Sequence, residues 1–336
     1  MEAFSKMLNK ATATGALPFH PKCQRVGLTH LCFVDDLLIF TYESLKGMQT
    51  IDSILKQFYQ VIDLKVNYQK FELFCFGVQN SMVKIITKTY GLKLWSLPVK
   101  YLGVPLITSR LSDATLKLLL MKIIGRITSW SAKPLSFVGR LQLISSVIQG
   151  ITTFWSFIFI LPKRTITEVE KLCSSFLWKG RASDARGAKV QWEKVCHLKP
   201  KGGLGLKFLY DWNRACVLRF IWMLFTKTSL IWVAWIKAYQ LRGMSFWSLK
   251  VPNDASWSWR KILQLRSIVR PFIKHQVGNG EGLYLWFDDW HPHGPLLKTY
   301  GSDIVRTTTF PHQAKVSLVV HGNYWKWPLV RSPSLL

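Results

Sequence analysis

The spacing of apolar residues along the chain predicts a series of amphipathic helices. Phe4 and Leu8 fall on one helical stripe near the N-terminus, which predicts a helix over residues 1–14. In the helix predicted over residues 166–178, Thr167 and Glu170 have the spacing of a capping box, so we expect their side chains to cap its N-terminus. The same spacing of three and four residues predicts further helices over residues 44–62, 116–130, 139–161 and 166–178.

Two short apolar runs, residues 29–34 and 37–40, flank the adjacent aspartates Asp35 and Asp36. Two like charges repel each other and are costly to desolvate, so they need a compensating cation or exposure at a sharp turn. A strand, a tight turn and a returning strand would present both carboxylates at the tip of a hairpin. Such a tip could hold Mg²⁺, which binds a few carboxylates together with substrate phosphates, although aspartates are also ordinary turn residues.

Composition adds a strong positive charge to this pattern. The 336 residues carry 45 lysines and arginines against 18 aspartates and glutamates, a formal net charge of +27. The excess is +5 over residues 1–100, +10 over residues 101–200 and +12 beyond. Because it is dispersed through apolar-rich sequence, it indicates a broad basic surface whose natural partner is nucleic acid.

Membrane association is the alternative explanation of the basic charge. The stretch from Leu141 to Leu161 is 21 residues long and uncharged, which meets the length of a spanning helix. Eight of these residues are polar or glycine, which favours a helix buried among protein elements, so we expect no membrane span. The N-terminus lacks the apolar core of a signal peptide, and the six cysteines contain no Cys-x-x-Cys pair. We therefore expect an intracellular protein, nuclear or cytoplasmic, with reduced cysteines.

Four sequence blocks carry a resemblance to a known family. Residues 28–40, LTHLCFVDDLLIF, resemble the catalytic hairpin of reverse transcriptases from plant non-LTR retrotransposons, whose usual form is a Phe-Ala-Asp-Asp box. The other blocks follow in the family's order: residues 64–67 with Lys70, residues 97–106, and the segment from Trp130 to Trp178. The chain is therefore similar to the C-terminal part of such an enzyme, an RNA-directed DNA polymerase.

The resemblance implies roles for the hairpin and for one lysine. Asp35 would contact the catalytic Mg²⁺ most directly, with Asp36 in support. Lys70 resembles a lysine that the family keeps near the triphosphate, where an ammonium group could act on the departing pyrophosphate. Val34 stands in the nucleic-acid-facing position where the family more often has alanine.

The resemblance also implies contacts with RNA and DNA as a primer-template. Tyr101, Leu102 and Gly103 would form the turn that grips the primer strand, where glycine lets the backbone approach the nucleic acid closely. Candidate phosphate contacts on the helical thumb are Lys133, Arg140, Lys163 and Arg164.

The expected fold class is α+β. A partial polymerase palm would occupy residues 1–107, a helical thumb residues 108–180, and a tryptophan-rich basic region of uncertain fold residues 181–336. In the family another essential aspartate comes from a strand well upstream of the box, whereas Glu2 is the only acidic residue among the 34 that precede Asp35. We therefore expect the isolated chain to be inactive unless a separate chain supplies the rest of the palm and the fingers. A noncatalytic nucleic-acid-binding protein derived from such an element is the alternative.

Residues 181–189 are charged and small and read as a linker, and most of the sixteen tryptophans follow it. Bases can stack on exposed aromatic rings. Trp222, Trp232 and Trp235 lie in an apolar stretch, however, so we predict that they are buried. Residues 288–293, DDWHPH, carry four metal-ligating side chains, but the proline and the lack of a distant ligand favour a surface turn.

Overall fold

A computed structural model describes residues 2–34, 36–62, 71–107, 110–181, 189–322 and 324–327. The chain divides into two compact units. One unit comprises Met1–Thr108 and Ser229–Arg242, and the other comprises Ser109–Thr228 and Gly243–Leu336.

The first unit mixes helices with short strands. The predictions of helices over residues 1–14 and 44–62 are confirmed by its first two helices. Its elements before residue 108 are α1 (Glu2–Ala13), β1 (His30–Phe33), β2 (Asp36–Ile39), α2 (Leu45–Ile62), β3 (Glu72–Leu73), α3 (Asn80–Tyr90), β4 (Lys93–Leu94), β5 (Val99–Tyr101) and β6 (Val104–Leu106).

The core of this unit lies between α1 and α2. Phe4 is buried at 1% exposure, and its ring meets Phe58 edge to face with centroids 5.1 Å apart. Leu37 and Ile39 of β2 pack against the same core. Because alternate residues of a strand point to opposite faces, this packing leaves Asp36 on the other face of β2.

The strands of the first unit pair two by two. β1 and β2 are antiparallel, as are β5 and β6. β3 and β4 are parallel, and α3 supplies the crossover that a parallel pair requires. The two antiparallel hairpins carry the residues that the sequence singles out.

The second unit is mainly helical over the described residues 110–181 and 189–228. Ser112 caps α4 by accepting a hydrogen bond from the Thr115 amide, and the predictions of helices over residues 116–130 and 166–178 are confirmed. The elements are α4 (Asp113–Ser131), α5 (Phe137–Leu143) with a π-helical turn (Ile144–Ile148), α6 (Gln149–Ser156), α7 (Lys163–Lys179), α8 (Trp192–Cys196) and α9 (Leu209–Thr226).

The helix predicted over residues 139–161 ends earlier than expected, at Ser156. Asn213 of α9, only 2% exposed, explains the early end. Its amide nitrogen donates to the Phe159 carbonyl at 2.8 Å, and its amide oxygen accepts from the Leu161 N–H at 2.9 Å. These two bonds take the place of helical ones, so the chain leaves the helix before Pro162.

The predicted capping box at the start of α7 is wrong. The helix already begins at Lys163, so Thr167 lies within it and donates to the Lys163 carbonyl at 3.0 Å. Glu170 points to another helix, where its carboxylate accepts from the Leu209 amide at 3.1 Å. Glu170 therefore caps the N-terminus of α9, with its negative charge next to the positive end of the helix dipole.

The next helix, α10 (Ile231–Trp235), belongs to the first unit and continues as a π-helical turn (Ile236–Leu241). The Trp235 indole donates to the Lys22 carbonyl at 2.8 Å. The Tyr239 hydroxyl accepts from the Arg25 amide at 2.9 Å and donates to the Pro21 carbonyl at 3.1 Å. These contacts fix the loop that leads into β1.

The C-terminal part of the second unit is built around Trp286, which is fully buried. Its indole donates to the Pro311 carbonyl at 3.0 Å, and Leu285 and Val316 pack in the same cluster. The surrounding elements are α11 (Trp257–Gln264), α12 (Arg266–Val269), α13 (Leu296–Tyr300), α14 (Asp303–Thr307), β7 (Val320–His321) and β8 (Tyr324–Trp325).

The prediction that Trp222 is buried is wrong, since its side chain is 52% exposed. The buried stripe of α9 includes Asn213, Val217 and Ile221, and Trp222 lies beside it, one position after Ile221. Trp232 and Trp235 are half-buried instead of fully buried.

No single helix in the described part of the chain is long and apolar enough to cross a membrane. Only the bent pair Leu209–Thr226 and Ile231–Leu241 reaches that length and composition, and only when taken together. All six cysteines are free. Of the predicted linker, residues 182–188 lie outside the described residues.

Candidate nucleic-acid and metal site

The hairpin of β1 and β2 carries the predicted metal-binding aspartates. Phe33 pairs with Asp36, and Val34 follows β1 as a turn residue. Val34 has a φ of 54°, in the left-handed region that β-branched residues avoid at a cost of about 1–2 kcal/mol. Strain of this kind often marks functional sites, and here it lies at the residue before Asp35. Asp35 itself lies outside the described residues.

Asp36 begins β2 as an exposed residue, so its carboxylate is open to a cation or a ligand. Oxygen ligands of this kind suit a hard cation such as Mg²⁺. The described residues contain no group of three or more histidine, cysteine, aspartate or glutamate side chains that could hold a metal ion. Among the described residues, the hairpin thus offers the exposed carboxylate of Asp36 as a possible oxygen ligand.

The hairpin of β5 and β6 carries the predicted primer-gripping turn. Tyr101 pairs with Val104 across two turn residues, Leu102 and Gly103, whose φ angles are 49° and 83°. A type I′ turn requires a positive φ at both central residues, and its backbone twist matches the twist of the two strands that it joins. A Cβ on Gly103 would meet no atom within 4 Å, so the outer side of the turn is open. Glycine suits this position because of its positive φ and not because of a lack of space.

The structure brings the two hairpins together at Tyr101 and Asp36. Burial raises the pKa of the Tyr101 phenol, and the negative charge of Asp36 raises it further, with a smaller effect from Cys32. A carboxylate acts on a phenol in this way only at short range, because water screens more distant charges. Asp36 and Tyr101 thus lie near each other in the first unit.

The tip of the β1–β2 hairpin is unusually apolar for an exposed surface. The side chains of Phe33 and Val34 are 58% and 75% exposed, and Leu31 is 36% exposed. Large apolar groups next to a carboxylate at a strained turn indicate an interaction surface. Lys70 and residues 64–67, which the sequence also singles out, lie outside the described residues.

The four predicted phosphate contacts of the second unit fall into two groups. Lys133 and Arg140 line one cavity near the C-terminal end of α7. Lys163 and Arg164 lie at the opposite end of α7, about 24 Å away along the helix axis. Arg164 there pairs with Glu168, with an N–O distance of 3.3 Å.

Sequence reasoning missed one member of the cavity group, Lys179, which lines the same cavity as Lys133 and Arg140. The sequence feature that could have indicated Lys179 is the glycine that follows it. Gly180 marks the end of a helix, and cations are favoured in the last turn of a helix. Its spatial proximity to residues 133–140 could not be read from the spacing.

The predicted surface turn at residues 288–293 is wrong for Asp288, which is 2% exposed. One carboxylate oxygen accepts from the Tyr284 amide at 2.6 Å, and the other has no hydrogen-bond partner among the described residues. Burial raises the pKa of Asp288, and the hydrogen bond from the Tyr284 amide, followed by the charges of His275 and Lys315, acts in the opposite direction. This aspartate is a structural group of the tryptophan-rich core.

Comparison with known families bears on the first unit. Residues 1–106 match the family model described as reverse transcriptase (RNA-dependent DNA polymerase). The chain contains a reverse transcriptase domain. The matched residues include both hairpins, and this family acts on nucleic acid with divalent metal ions.

Two Arabidopsis thaliana proteins are similar to parts of the chain. One, named as a ribonuclease H protein, is 29% identical over 198 residues, which cover 58% of this chain and 32% of that protein. The other, an uncharacterized mitochondrial protein, is 22% identical over 133 residues, which cover 39% of this chain and 86% of its own length. The chain thus spans about a third of the first relative and most of the second.

Proposed function

We propose that this chain is the C-terminal part of a reverse transcriptase of the plant non-LTR retrotransposon type, an RNA-directed DNA polymerase by descent. Its α+β fold would combine a palm segment, carrying both hairpins, with a helical thumb and a tryptophan-rich C-terminal region. The observation that carries the proposal is the presence of both hairpins, one with the exposed Asp36 and one with the open turn at Leu102 and Gly103, within residues that match the reverse transcriptase family.

In this proposal Asp35 and Asp36 provide carboxylate ligands for Mg²⁺. The metal, when bound, would lower the barrier to attack by the primer 3′-hydroxyl by stabilising charge on the transferring phosphoryl group. A two-metal site draws ligands from separate segments of a fold, so the hairpin needs another carboxylate. We propose that an upstream palm strand supplies it, carried on the same polypeptide or on a separate chain.

The remaining residues of the site would hold the nucleic acid. The turn at Leu102 and Gly103 is open on its outer side, which leaves room for a primer strand next to Tyr101. The exposed side chains of Phe33 and Val34 would pack against the terminal base pair and exclude water from the carboxylates. Lys70 would lie near the triphosphate.

A noncatalytic nucleic-acid-binding role is the second candidate. It is favoured by the net charge of +27, which attracts a polyanion without any metal site. Both candidates predict binding of RNA or single-stranded DNA, whereas only the first predicts polymerisation when the palm is complete.

The first experiment measures binding by fluorescence anisotropy over a series of salt concentrations. If some six phosphates are contacted, the slope of log affinity against log salt on a single strand should be roughly −4, a loss of several hundredfold from about 50 to 200 mM salt. A primer-template should also bind more tightly than heparin. Equal competition by heparin, charge for charge, would contradict the proposal.

A pair of matched variants tests the gripping turn in the same assay. Leu102→Asp places a negative charge at an exposed, left-handed position that aspartate tolerates, so the fold should be kept. Repulsion from the primer should weaken primer-template binding by about tenfold. Ile85→Asp adds the same charge on the exposed side of α3 and should have a much smaller effect. Equal losses in the two variants would count against the turn.

A further inference from the structure

A cavity of about 220 Å³ lies beside the C-terminal ends of α4 and α7 and the start of α5. It has room for a small ligand together with several water molecules. Its lining includes Trp130, Lys133, Arg140, Phe176, Lys179 and Gly180. We call it the basic cavity.

The charge of the basic cavity is positive even when only Lys133 and Arg140 are counted. Three cationic side chains line it, and none of its lining residues is acidic. The C-terminal ends of α4 and α7 each bring about half a negative charge, which together offset about one of the two charges of Lys133 and Arg140. An anion in the cavity would therefore experience a net attraction.

Arg140 is held in the cavity with part of its guanidinium unused. One terminal nitrogen, Nη1, donates to the Phe176 carbonyl at 3.5 Å, a long bond. The Nε atom is buried and has no hydrogen-bond partner among the described residues. A buried N–H left unpaired costs about 1–3 kcal/mol, so an acceptor for it is expected.

The backbone of α7 is shaped to seat this arginine. Gly180, with a φ of 73°, ends the helix, and a Cβ at this position would lie 3.3 Å from Nη1 of Arg140. The rings of Trp130 and Phe176, with centroids 5.6 Å apart, form an apolar part of the wall. Low dielectric at such a wall strengthens charge interactions inside the cavity.

We propose that the basic cavity binds one phosphate group of a polynucleotide backbone. A planar guanidinium can donate to two phosphate oxygens at once, while Lys133 and Lys179 add charge around the same group. The inference rests on the proposed function, because that function supplies the polynucleotide. The competing account is that the three cations only compensate the carbonyls at the two helix ends.

The direct test follows the Arg140 Nε–H signal of the full chain by NMR while dimethyl phosphate is added. This probe has the diester chemistry of a backbone phosphate and no base or sugar. The expected result is a saturable shift that is lost in the double variant Lys133→Gln, Lys179→Gln. A signal that does not move, or that moves equally in the double variant, would overturn the proposal.

The second test measures duplex binding across a salt series. The double variant Lys133→Gln, Lys179→Gln should lower the salt slope by about one phosphate contact and weaken binding by about tenfold or more. Lys117→Gln with Lys122→Gln removes two exposed charges from α4 outside the cavity and should lose much less. Equal losses in both double variants would refute a discrete site.

Arg140→Lys separates recognition from charge, because lysine keeps the charge but loses the planar fork. It should reduce affinity by about tenfold while the thermal unfolding midpoint stays close to that of the wild type. Wild-type affinity in this variant, or tighter capture of free pyrophosphate than of a duplex, would contradict the assignment. Failure of the wild type to bind any polynucleotide would overturn the proposed function. The titration with dimethyl phosphate tests phosphate binding in the basic cavity independently of that result.

Discussion

Replacing Glu170 with glutamine should change how the stability of the protein depends on pH. Glu170 is half-buried on α7 and accepts hydrogen bonds from the Leu209 and Tyr210 amides at the start of α9. Burial raises its pKa from 4.5 to about 7, and the negative charges of Asp211 and Glu193 act in the same direction. The two amide bonds oppose this shift, since they favour the charged carboxylate.

The sign of the effect follows from the raised pKa. The folded state holds this proton more tightly than the unfolded chain, so the free energy of unfolding is highest below about pH 4.5 and falls as the pH rises to about 7. The full shift corresponds to about 3 kcal/mol, but water reaches this half-buried group and screens its charge. We therefore expect a loss of roughly 1 kcal/mol over this range.

Urea unfolding of wild type and Glu170→Gln across this pH range provides the assay. Glutamine keeps the oxygen acceptor and cannot titrate, so the variant should gain roughly 1 kcal/mol relative to wild type as the pH rises. Glu168→Gln, on the same helix but paired with Arg164 at the surface, is the matched control for the loss of a carboxylate. Parallel pH profiles for wild type and Glu170→Gln would refute the reasoning.

Further substitutions test packing and turn geometry by the same unfolding measurement. Asn213→Ala should cost about 2–4 kcal/mol, because it leaves the Phe159 carbonyl and the Leu161 amide buried without partners, and exposed Asn279→Ala should cost little. Gly103→Ala should cost about 1–2 kcal/mol through its left-handed φ of 83°, although its surroundings are open. Gly125→Ala, in open space within α4, should instead stabilise by about 0.5–1 kcal/mol. Opposite signs would contradict these assignments.

The helices could be predicted because their signal is local. The apolar stripes of α1, α2, α4 and α7 repeat every three or four residues, and each stripe is buried in the structure. The end of the helix predicted over residues 139–161 could not be predicted, because Asn213 decides it from 52 residues further along the chain. Tertiary hydrogen bonds of this kind leave no trace in local spacing.

The candidate site shows the same limit. Resemblance to a family located the aspartate hairpin and the turn at Tyr101, and the structure adds that Asp36 and Tyr101 lie close together. Spacing suggested Lys133 and Arg140 as separate phosphate contacts, whereas the fold places both around one cavity with Lys179. That grouping depends on the packing of α4, α5 and α7, which single-sequence patterns do not encode.

The most direct test of the account is primer extension by a chimera in which this chain is joined to the upstream palm and fingers of a close relative. On an RNA template with Mg²⁺ the chimera should incorporate nucleotides. Asp35→Asn keeps the side-chain shape but removes the charge that holds the metal, so incorporation should fall by orders of magnitude. Asp52→Asn, on α2 and paired with Lys56, should leave the rate unchanged. An Asp35→Asn chimera that polymerises as fast as the unsubstituted chimera would contradict the account.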